Sequence, residues 1–184
     1  MIAAWVILGI VFIGVVAGIV SYNRFVSQRQ MIKDAFANID TELRRRYDLI
    51  PNLVETVRGY ASHERGVFEN VTQARANAIN AQGPAQQAQA ENILTGALKS
   101  LFALSEAYPD LKANQNFLAL QEELATTENK VGFARQYYND SVMKYNTSIE
   151  QFPANLIANT FNFGRREFFE VKEEEVRQAP KVQF

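Results

Sequence analysis

The sequence of 184 residues contains no cysteine and a single histidine, His63. The absence of cysteine excludes disulfides and thiolate metal sites but leaves the cellular compartment open. His63 and Glu64 would begin an HExxH zinc motif, yet Val67 stands where the second histidine belongs. A di-iron helical bundle needs two Glu-x-x-His pairs, so one histidine excludes it too. Because no nucleophile is paired with a base either, the sequence predicts no catalytic site, metal or cofactor.

The sequence also lacks an excess of charge of either sign. The 19 Lys and Arg residues nearly balance the 20 Asp and Glu residues, which gives a formal net charge of −1. Proteins that bind nucleic acid through its phosphates usually carry a clear positive excess, so nucleic acid is not an expected partner. Hydrophobic residues make up 47% of the chain, which is enough to bury a core.

Charged residues are absent from the first stretch of the chain, IAAWVILGIVFIGVVAGIV at residues 2–20. This run of 19 residues is close to the length that crosses a bilayer as a helix, and 12 of them are Ile, Val, Leu or Phe. At about −0.3 to −0.6 kcal/mol each, those side chains favour insertion by roughly 4–7 kcal/mol. A cleaved signal peptide would need a positive segment before the run and a small-residue cleavage site after it. We therefore predict a retained transmembrane anchor over residues 1–22.

Basic residues follow this span, and only the terminal amine precedes it. Arg24, Arg29 and Lys33 come shortly after position 20. The positive-inside rule then predicts that the N-terminus lies outside and that the rest of the chain lies in the cytoplasm.

Apolar residues recur every three or four positions through residues 23–152, the pattern of amphipathic helices. Four such segments are separated by Pro51, by Gly83-Pro84 and by Pro109. An all-α fold is therefore predicted, in which residues 23–152 form an antiparallel, up-and-down four-helix bundle. The alternative is a long two-armed hairpin that is kinked at Pro51 and Pro109.

Four long runs of the sequence are distinctive: NIDTELRRRYDLIPNLVETVRGYASHE, EAYPDLKANQNFLALQEELATTENKV, YNDSVMKYNTSIEQFP and FNFGRREFFE. These motifs resemble the LemA family. With the N-terminal span, the resemblance extends from residue 2 to residue 170, which is nearly the whole chain. The resemblance implies a single-pass protein of the bacterial cytoplasmic (inner) membrane whose soluble part is a four-helix bundle. It implies no settled biochemical activity.

The span contains a GxxxG motif at residues 14–18. Glycines four residues apart form a flat strip that lets two helix backbones approach closely. A second row of small residues lies next to it, so the predicted self-association face consists of Gly14, Gly18, Ala17 and Ser21. The alternative is a chance occurrence, because glycine is common in spans.

Two similar proline-containing stretches, YDLIP at residues 47–51 and YPDL at residues 108–111, are predicted to be turns. In an up-and-down bundle both turns would lie at the end away from the membrane. The arginine run at residues 44–46 directly precedes the first of these stretches, and on an upright helix it lies about 35 Å from the bilayer. The predicted partner surface comprises Arg44, Arg45, Tyr47, Asp48, Pro51, Tyr108, Pro109 and Asp110. The alternative is that these residues only end helices and complete a helix terminus with charge.

Two further sets of residues are singled out by their position. Polar residues at or near apolar helix positions predict a buried polar layer that fixes helix register, formed by Glu64, Thr127, Glu128 and Arg135. The alternatives are a ligand or proton site at Glu64 and a position of Glu64 at the rim, in solvent. Residues 153–184 are predicted to be an irregular tail, first rich in phenylalanine and then charged. Its first half predicts a segment at the membrane interface, with Phe161, Phe163, Arg165, Arg166, Phe168 and Phe169, or a cover over the open end of the bundle.

These features together predict a membrane-anchored, non-enzymatic scaffold or adaptor. Its expected partners are the lipid bilayer, further copies of itself and other membrane proteins. Two other classes stay open. One is a ligand-binding, metal-binding or enzymatic bundle that uses Glu64 with other carboxylates, and the other is a module that binds anionic lipid or an acidic ligand.

Overall fold

The computed structural model describes residues 2–170 and is helical over most of them. Its six helices are α1 (Ile2–Arg58), α2 (Arg65–Asn80), α3 (Gly83–Ser105), α4 (Pro109–Lys112), α5 (Gln115–Glu150) and α6 (Ala154–Thr160). The described residues contain no strand, so the predicted all-α fold is confirmed. The charged end of the predicted tail, after residue 170, lies outside the described residues.

Helix α1 continues through Pro51 to Arg58, so the predicted break and turn at Pro51 is wrong. Proline has no N–H with which to bond the carbonyl oxygen four residues earlier, which here belongs to Tyr47. The Arg75 Nε donates to that oxygen instead, at 2.7 Å. A side chain from α2 thus replaces the missing helical hydrogen bond, and α1 ends only at Arg58.

Helices α2 and α3 form a hairpin joined by Ala81 and Gln82. Gly83 has a φ of +77°, a conformation that side-chain-bearing residues rarely adopt. Pro84 follows in the first turn of α3, where its missing N–H would have no helical partner anyway. The predicted turn at Gly83-Pro84 is therefore confirmed.

The chain forms two compact units. The first consists of residues up to Asp40 together with Gly132–Phe168, and the second consists of Thr41–Val131 with Phe169 and Glu170. Both α1 and α5 contribute residues to each unit.

In the first unit, α1 and α5 run antiparallel. Arg24 Nη2 and Gln28 Nε2 donate to Ser148 Oγ at 3.4 and 3.1 Å, and farther along the rings of Phe36 and Tyr138 pack with centroids 5.8 Å apart. The core of this unit includes Phe25, Ile32, Ile39, Val142, Tyr145 and Ile149. The start of α1 is long and apolar enough to cross a membrane, with a mean hydropathy of 2.7 over an 18-residue window that is 0% buried.

The second unit packs the end of α1, the α2–α3 hairpin, α4 and the first half of α5. Its core is built from the apolar stripes of these helices: Leu43, Ile50, Leu53, Phe68, Val71, Leu94, Leu98, Leu101, Phe117 and Leu124. Burying each such side chain stabilises the fold by about 1.5–3 kcal/mol. This core surrounds the buried charges that are described next.

Candidate functional site

The interior of the second unit contains a buried ion pair. Arg46 on α1 is 4% exposed and Glu91 on α3 is 1% exposed. Arg46 Nη1 donates to Glu91 Oε2 at 2.8 Å. Each buried ion loses several kcal/mol of hydration, so the pair is stable only with good geometry and further hydrogen bonds. We call Arg46, Glu91 and the side chains bonded to them the polar core.

Tyr47 completes the hydrogen bonding of the carboxylate. Its hydroxyl donates to Glu91 Oε1 and accepts a hydrogen bond from Gln87 Nε2 at 2.8 Å. Burial, followed by the bond to Glu91, raises the pKa of Tyr47 well above its usual range. The hydroxyl therefore remains a protonated donor at physiological pH.

The second guanidinium nitrogen of Arg46 faces two other side chains. Nη2 donates to Thr95 Oγ1 at 3.0 Å and lies 3.1 Å from Glu128 Oε2 on α5. With Arg75 of α2 bonded to the Tyr47 carbonyl, the polar core connects α1, α2, α3 and α5. A shift of α1 or α3 relative to the other would leave a buried charge without its partner, so we infer that the ion pair favours one register of these two helices.

The polar core differs from the predicted polar layer in its members. Glu128 takes part, and Thr127 is buried at 5% exposure. Glu64 instead precedes α2 as a half-buried cap residue, because the chain between Arg58 and Arg65 is not helical. Arg135 is half-buried and belongs to the first unit.

Sequence reasoning missed Arg46 and Glu91, although a signal for both was present. Arg46 lies three residues after Leu43 and four before Ile50, and both of those are core positions. Glu91 on α3 lies three residues before Leu94 and seven before Leu98, and both of these are core positions too. Each charge thus continues an apolar stripe at helical spacing, which indicates burial with a partner of opposite sign.

The predicted partner surface is only partly a surface. Arg44, Arg45, Asp48 and Pro51 are exposed on α1, and Pro109 and Asp110 are exposed on α4, with Tyr108 half-buried before it. Tyr47 is wrong as a surface residue, since it is 5% exposed and belongs to the polar core. The turn next to YPDL is the one after α1, because Asn114 Nδ2 donates to Tyr60 Oη at 2.9 Å.

A shallow groove of about 660 Å³ lies between the exposed residues of α1 and α5 in the second unit. Its lining includes Arg45, Asp48, Glu122, Glu123 and Lys130, so charges of both signs line it. Among the residues that the structure describes, no three His, Asp or Glu side chains are grouped as metal ligands would be. The groove therefore offers polar contacts without a metal-binding arrangement.

The predicted self-association face is partly covered by the chain itself. A β-carbon at Gly18 would lie 3.4 Å from Ile157 Cδ1 of α6, whereas one at Gly14 would have no neighbour within 4 Å. Ala17 is exposed and Ser21 is half-buried. A second span can thus approach the Gly14 end closely, but Ile157 occupies the Gly18 end. Self-association stays a prediction.

The phenylalanines of the predicted interface segment divide into two classes. Phe163 and Phe169 are buried at 6% and 2% exposure, while Phe161 is 55% and Phe168 38% exposed. Both arginines of the segment, Arg165 and Arg166, are exposed, and Arg165 Nε lies 3.3 Å from Glu150 Oε1. Some of these rings therefore cover core, whereas others face outward.

Three side chains of α5 hold the chain after α6 in place. Tyr145 Oη donates to the Gly164 carbonyl at 3.1 Å, and Tyr138 Oη donates to the Glu167 carbonyl at 2.9 Å. Asn146 bonds both the N–H and the carbonyl of Arg166, at 2.8 and 2.9 Å. Burial raises the pKa of both tyrosines, so their hydroxyls remain donors.

Two aromatic residues that the sequence reading left aside are exposed on α5. Phe133 is 72% and Tyr137 52% exposed, and at four residues' spacing they lie on one face of the helix. Both residues lie off the apolar stripe of α5. Two aromatic residues four positions apart and outside the stripe are the sequence signal that could have identified this pair. Aromatic side chains are enriched in protein interfaces, so this pair is a candidate contact surface.

A family model described as the LemA family matches residues 35–184. The chain belongs to the LemA family. Its relatives include magnetosome protein MamQ 1 of Paramagnetospirillum magneticum, which is 24% identical over an alignment of 177 residues. The match covers 82% of this LemA family chain and 65% of the relative. Magnetosome protein MamQ of Magnetospirillum gryphiswaldense has the same identity and coverage. Protein LemA of Metamycoplasma hominis is 24% identical over an alignment of 155 residues, and the match covers 82% of this chain and 69% of that one. The chain thus spans 65% of the length of these MamQ relatives.

Proposed function

We propose that this LemA family protein is a non-enzymatic adaptor of the bacterial cytoplasmic membrane. The first part of α1 anchors it, and the helical region on the cytoplasmic side binds other membrane proteins or further copies of the chain. The observation that carries the proposal is the polar core, in which the buried charges bond one another.

The polar core has the wrong properties for catalysis. Arg46 and Glu91 are 4% and 1% exposed, so a substrate has no access to them. Glu91 bonds Arg46 through one oxygen and Tyr47 through the other, which leaves its carboxylate engaged in the fold. A general acid or base must reach the proton that it transfers, and the bonds of Arg46 and Glu91 go to other side chains of the polar core.

The outer surface has properties that suit contacts with proteins. Phe133 and Tyr137 expose an aromatic pair on α5, and interface hot spots are often aromatic side chains that become buried on binding. A pair of rings that is exposed in the free chain loses unfavourable contact with water when a partner covers it. This patch is the first place at which we expect a partner.

The cytoplasmic side is proposed from the basic residues that follow the span, and it can be tested because the chain has no cysteine of its own. Ser62 is exposed in the link between α1 and α2, so Ser62→Cys provides one label site without a background. A membrane-impermeant maleimide should leave it unlabelled in intact spheroplasts and label it after lysis. Labelling in intact spheroplasts would contradict the proposed orientation.

Binding through the aromatic pair is tested by a photo-crosslinking residue placed at Tyr137 in native membranes. The matched control is the same residue at Gln136, which is also exposed but points about 100° away around the helix. We expect discrete adducts with a membrane protein or with a second copy from position 137, and weaker or different ones from position 136. Identical adduct patterns, or none at position 137, would argue against this surface.

A further inference from the structure

Helix α6 exposes large apolar side chains beside the end of the transmembrane run. Leu156 is 57% exposed, and Phe161, which caps the helix, is 55% exposed. Phe152, just before α6, is 80% exposed. Three large apolar groups close together in sequence are costly to leave in water, at about 1.5–3 kcal/mol each.

The depth of α6 follows from its contacts with α1 in the same unit. Ile157 Cδ1 lies 3.4 Å from the position of a β-carbon on Gly18, and the rings of Phe161 and Tyr22 pack edge to face with centroids 5.0 Å apart. The uncharged run at residues 2–20 is about 28 Å long as a helix, which fills a hydrocarbon core of about 30 Å. Gly18 lies about 3 Å inside the end of that run. Ile157 is therefore level with the hydrocarbon, and Phe161 with its boundary.

The space between α6 and the span is an apolar groove of about 580 Å³. Its lining includes Val11, Gly14, Gly18 and Tyr22 of α1 with Ile157 and Phe161 of the α6 segment. The groove is continuous with the lipid-facing side of the span, because a β-carbon at Gly14 would meet no other side chain within 4 Å and Val11 is 57% exposed. A second span would have to displace Ile157 to reach Gly18, whereas a slender hydrocarbon chain fits without displacement.

We propose that α6 is a second membrane element, which enters the leaflet next to Tyr22, and that the acyl chain of a lipid from that leaflet fills the groove. The segment after α6 keeps this element in position. Tyr145, Asn146 and Tyr138 of α5 bond the backbone at Gly164, Arg166 and Glu167. These hydrogen bonds hold α6 against the span before any lipid binds, so the lipid meets a preformed surface.

The depth of α6 can be measured in the full-length chain by fluorescence quenching. Trp5 is the single tryptophan, so Trp5→Phe gives a dark background into which Leu156→Trp or Phe161→Trp is introduced. In phosphatidylcholine vesicles that contain acyl-brominated lipid, we expect the fluorescence of both introduced tryptophans to be quenched. The extent of quenching should be within about twofold of that of Trp5 in the wild type. The matched control is Phe133→Trp, which lies about 22 Å along α5 from Ser148 and should be quenched weakly. Quenching at both α6 positions no stronger than at position 133 would overturn the proposal.

The occupant of the groove is tested by native mass spectrometry from mild detergent with added phosphatidylcholine. Gly14→Leu fills the groove, whereas the control Gly9→Leu makes the same change in the span at a glycine that does not line it. We expect wild type and Gly9→Leu to retain a bound phospholipid. In Gly14→Leu the fraction of protein with bound phospholipid should fall by at least about tenfold, while the oligomeric state stays unchanged. Equal retention by all three would overturn the acyl-chain assignment. If Gly14→Leu instead converts a dimer into a monomer, the occupant is a second copy and the assignment is wrong.

Discussion

Glu91→Gln is the substitution that tests the polar core most severely. The carboxylate is 2.8 Å from Arg46 Nη1, and the two side chains are 1% and 5% exposed. Removing one partner of a buried pair costs about 3–5 kcal/mol, because the other charge stays buried without compensation. Glutamine keeps an oxygen for the Tyr47 hydroxyl, and Glu128, whose side chain is 43% exposed, still lies 3.1 Å from Arg46. We therefore expect the lower end, about 3 kcal/mol, or roughly a 150-fold change in the unfolding equilibrium.

The matched control is Glu42→Gln, which makes the same chemical change on α1. Glu42 pairs with Arg45 at 3.4 Å, and the Arg45 side chain is 59% exposed. An exposed pair at this spacing contributes about 0.5 kcal/mol or less. In addition, Arg46→Met/Glu91→Gln should be less unstable than the sum of its single changes by about 2 kcal/mol, because both charges leave together.

The assay is urea unfolding of the full-length chain in mild detergent, followed by helical circular dichroism. Tryptophan fluorescence would not report on the second unit, because the single tryptophan, Trp5, lies in the span. If Glu91→Gln unfolds within about 0.5 kcal/mol of Glu42→Gln, the polar core does not hold the helices in register and the reasoning is refuted.

Three further outcomes are expected. Arg75→Met should destabilise the second unit by about 1–3 kcal/mol, because the Tyr47 carbonyl loses its donor. Pro51→Ala should remove most of that cost, because it restores a backbone N–H at position 51. Urea unfolding of the single and double variants checks this, and an equal cost of Arg75→Met with Pro51 or Ala at position 51 would count against it. Burial and the bond to Glu91 raise the pKa of Tyr47 in the folded chain, so the contribution of its hydroxyl to the free energy of unfolding is fully present below about pH 10 and is lost as the pH rises toward the folded pKa. Tyr47→Phe should therefore flatten the fall in melting temperature at alkaline pH, and an unchanged slope would contradict the assignment. Asn146→Ala should release the segment after α6, seen as faster hydrogen exchange at residues 163–167, while unchanged exchange there would show that Asn146 does not hold it.

The local pattern of the sequence predicted the helices well because apolar spacing and Gly-Pro signals act within a few residues. The turn at Gly83-Pro84 and the apolar run at residues 2–20 were found in this way. Pro51 misled the same reasoning, since the donor that replaces its missing N–H is Arg75, 28 residues away from Tyr47. A local rule has no access to a partner at that distance.

The polar core was missed for a related reason. Arg46 and Glu91 are 45 residues apart, and each taken alone resembles a charge on a solvated helix face. Only their shared position on apolar stripes indicates burial, and which two charges pair depends on how the helices align. The tail shows the same limit, because Phe161 and Phe163 look alike in sequence, yet only Phe163 packs against Phe25, with ring centroids 5.2 Å apart.

The central claim is that the chain acts through contacts at its surface. The most direct measurement is native electrophoresis of membranes solubilised in mild detergent, comparing wild type with Phe133→Ala/Tyr137→Ala and with the control Gln136→Ala. The chain alone has a mass of 20.8 kDa. We expect wild type and the control to migrate as the same larger complex, and the double variant to migrate close to the single chain while its helical circular dichroism is unchanged. A wild type that migrates as a single chain, or a double variant that keeps the full complex, would contradict the proposed adaptor.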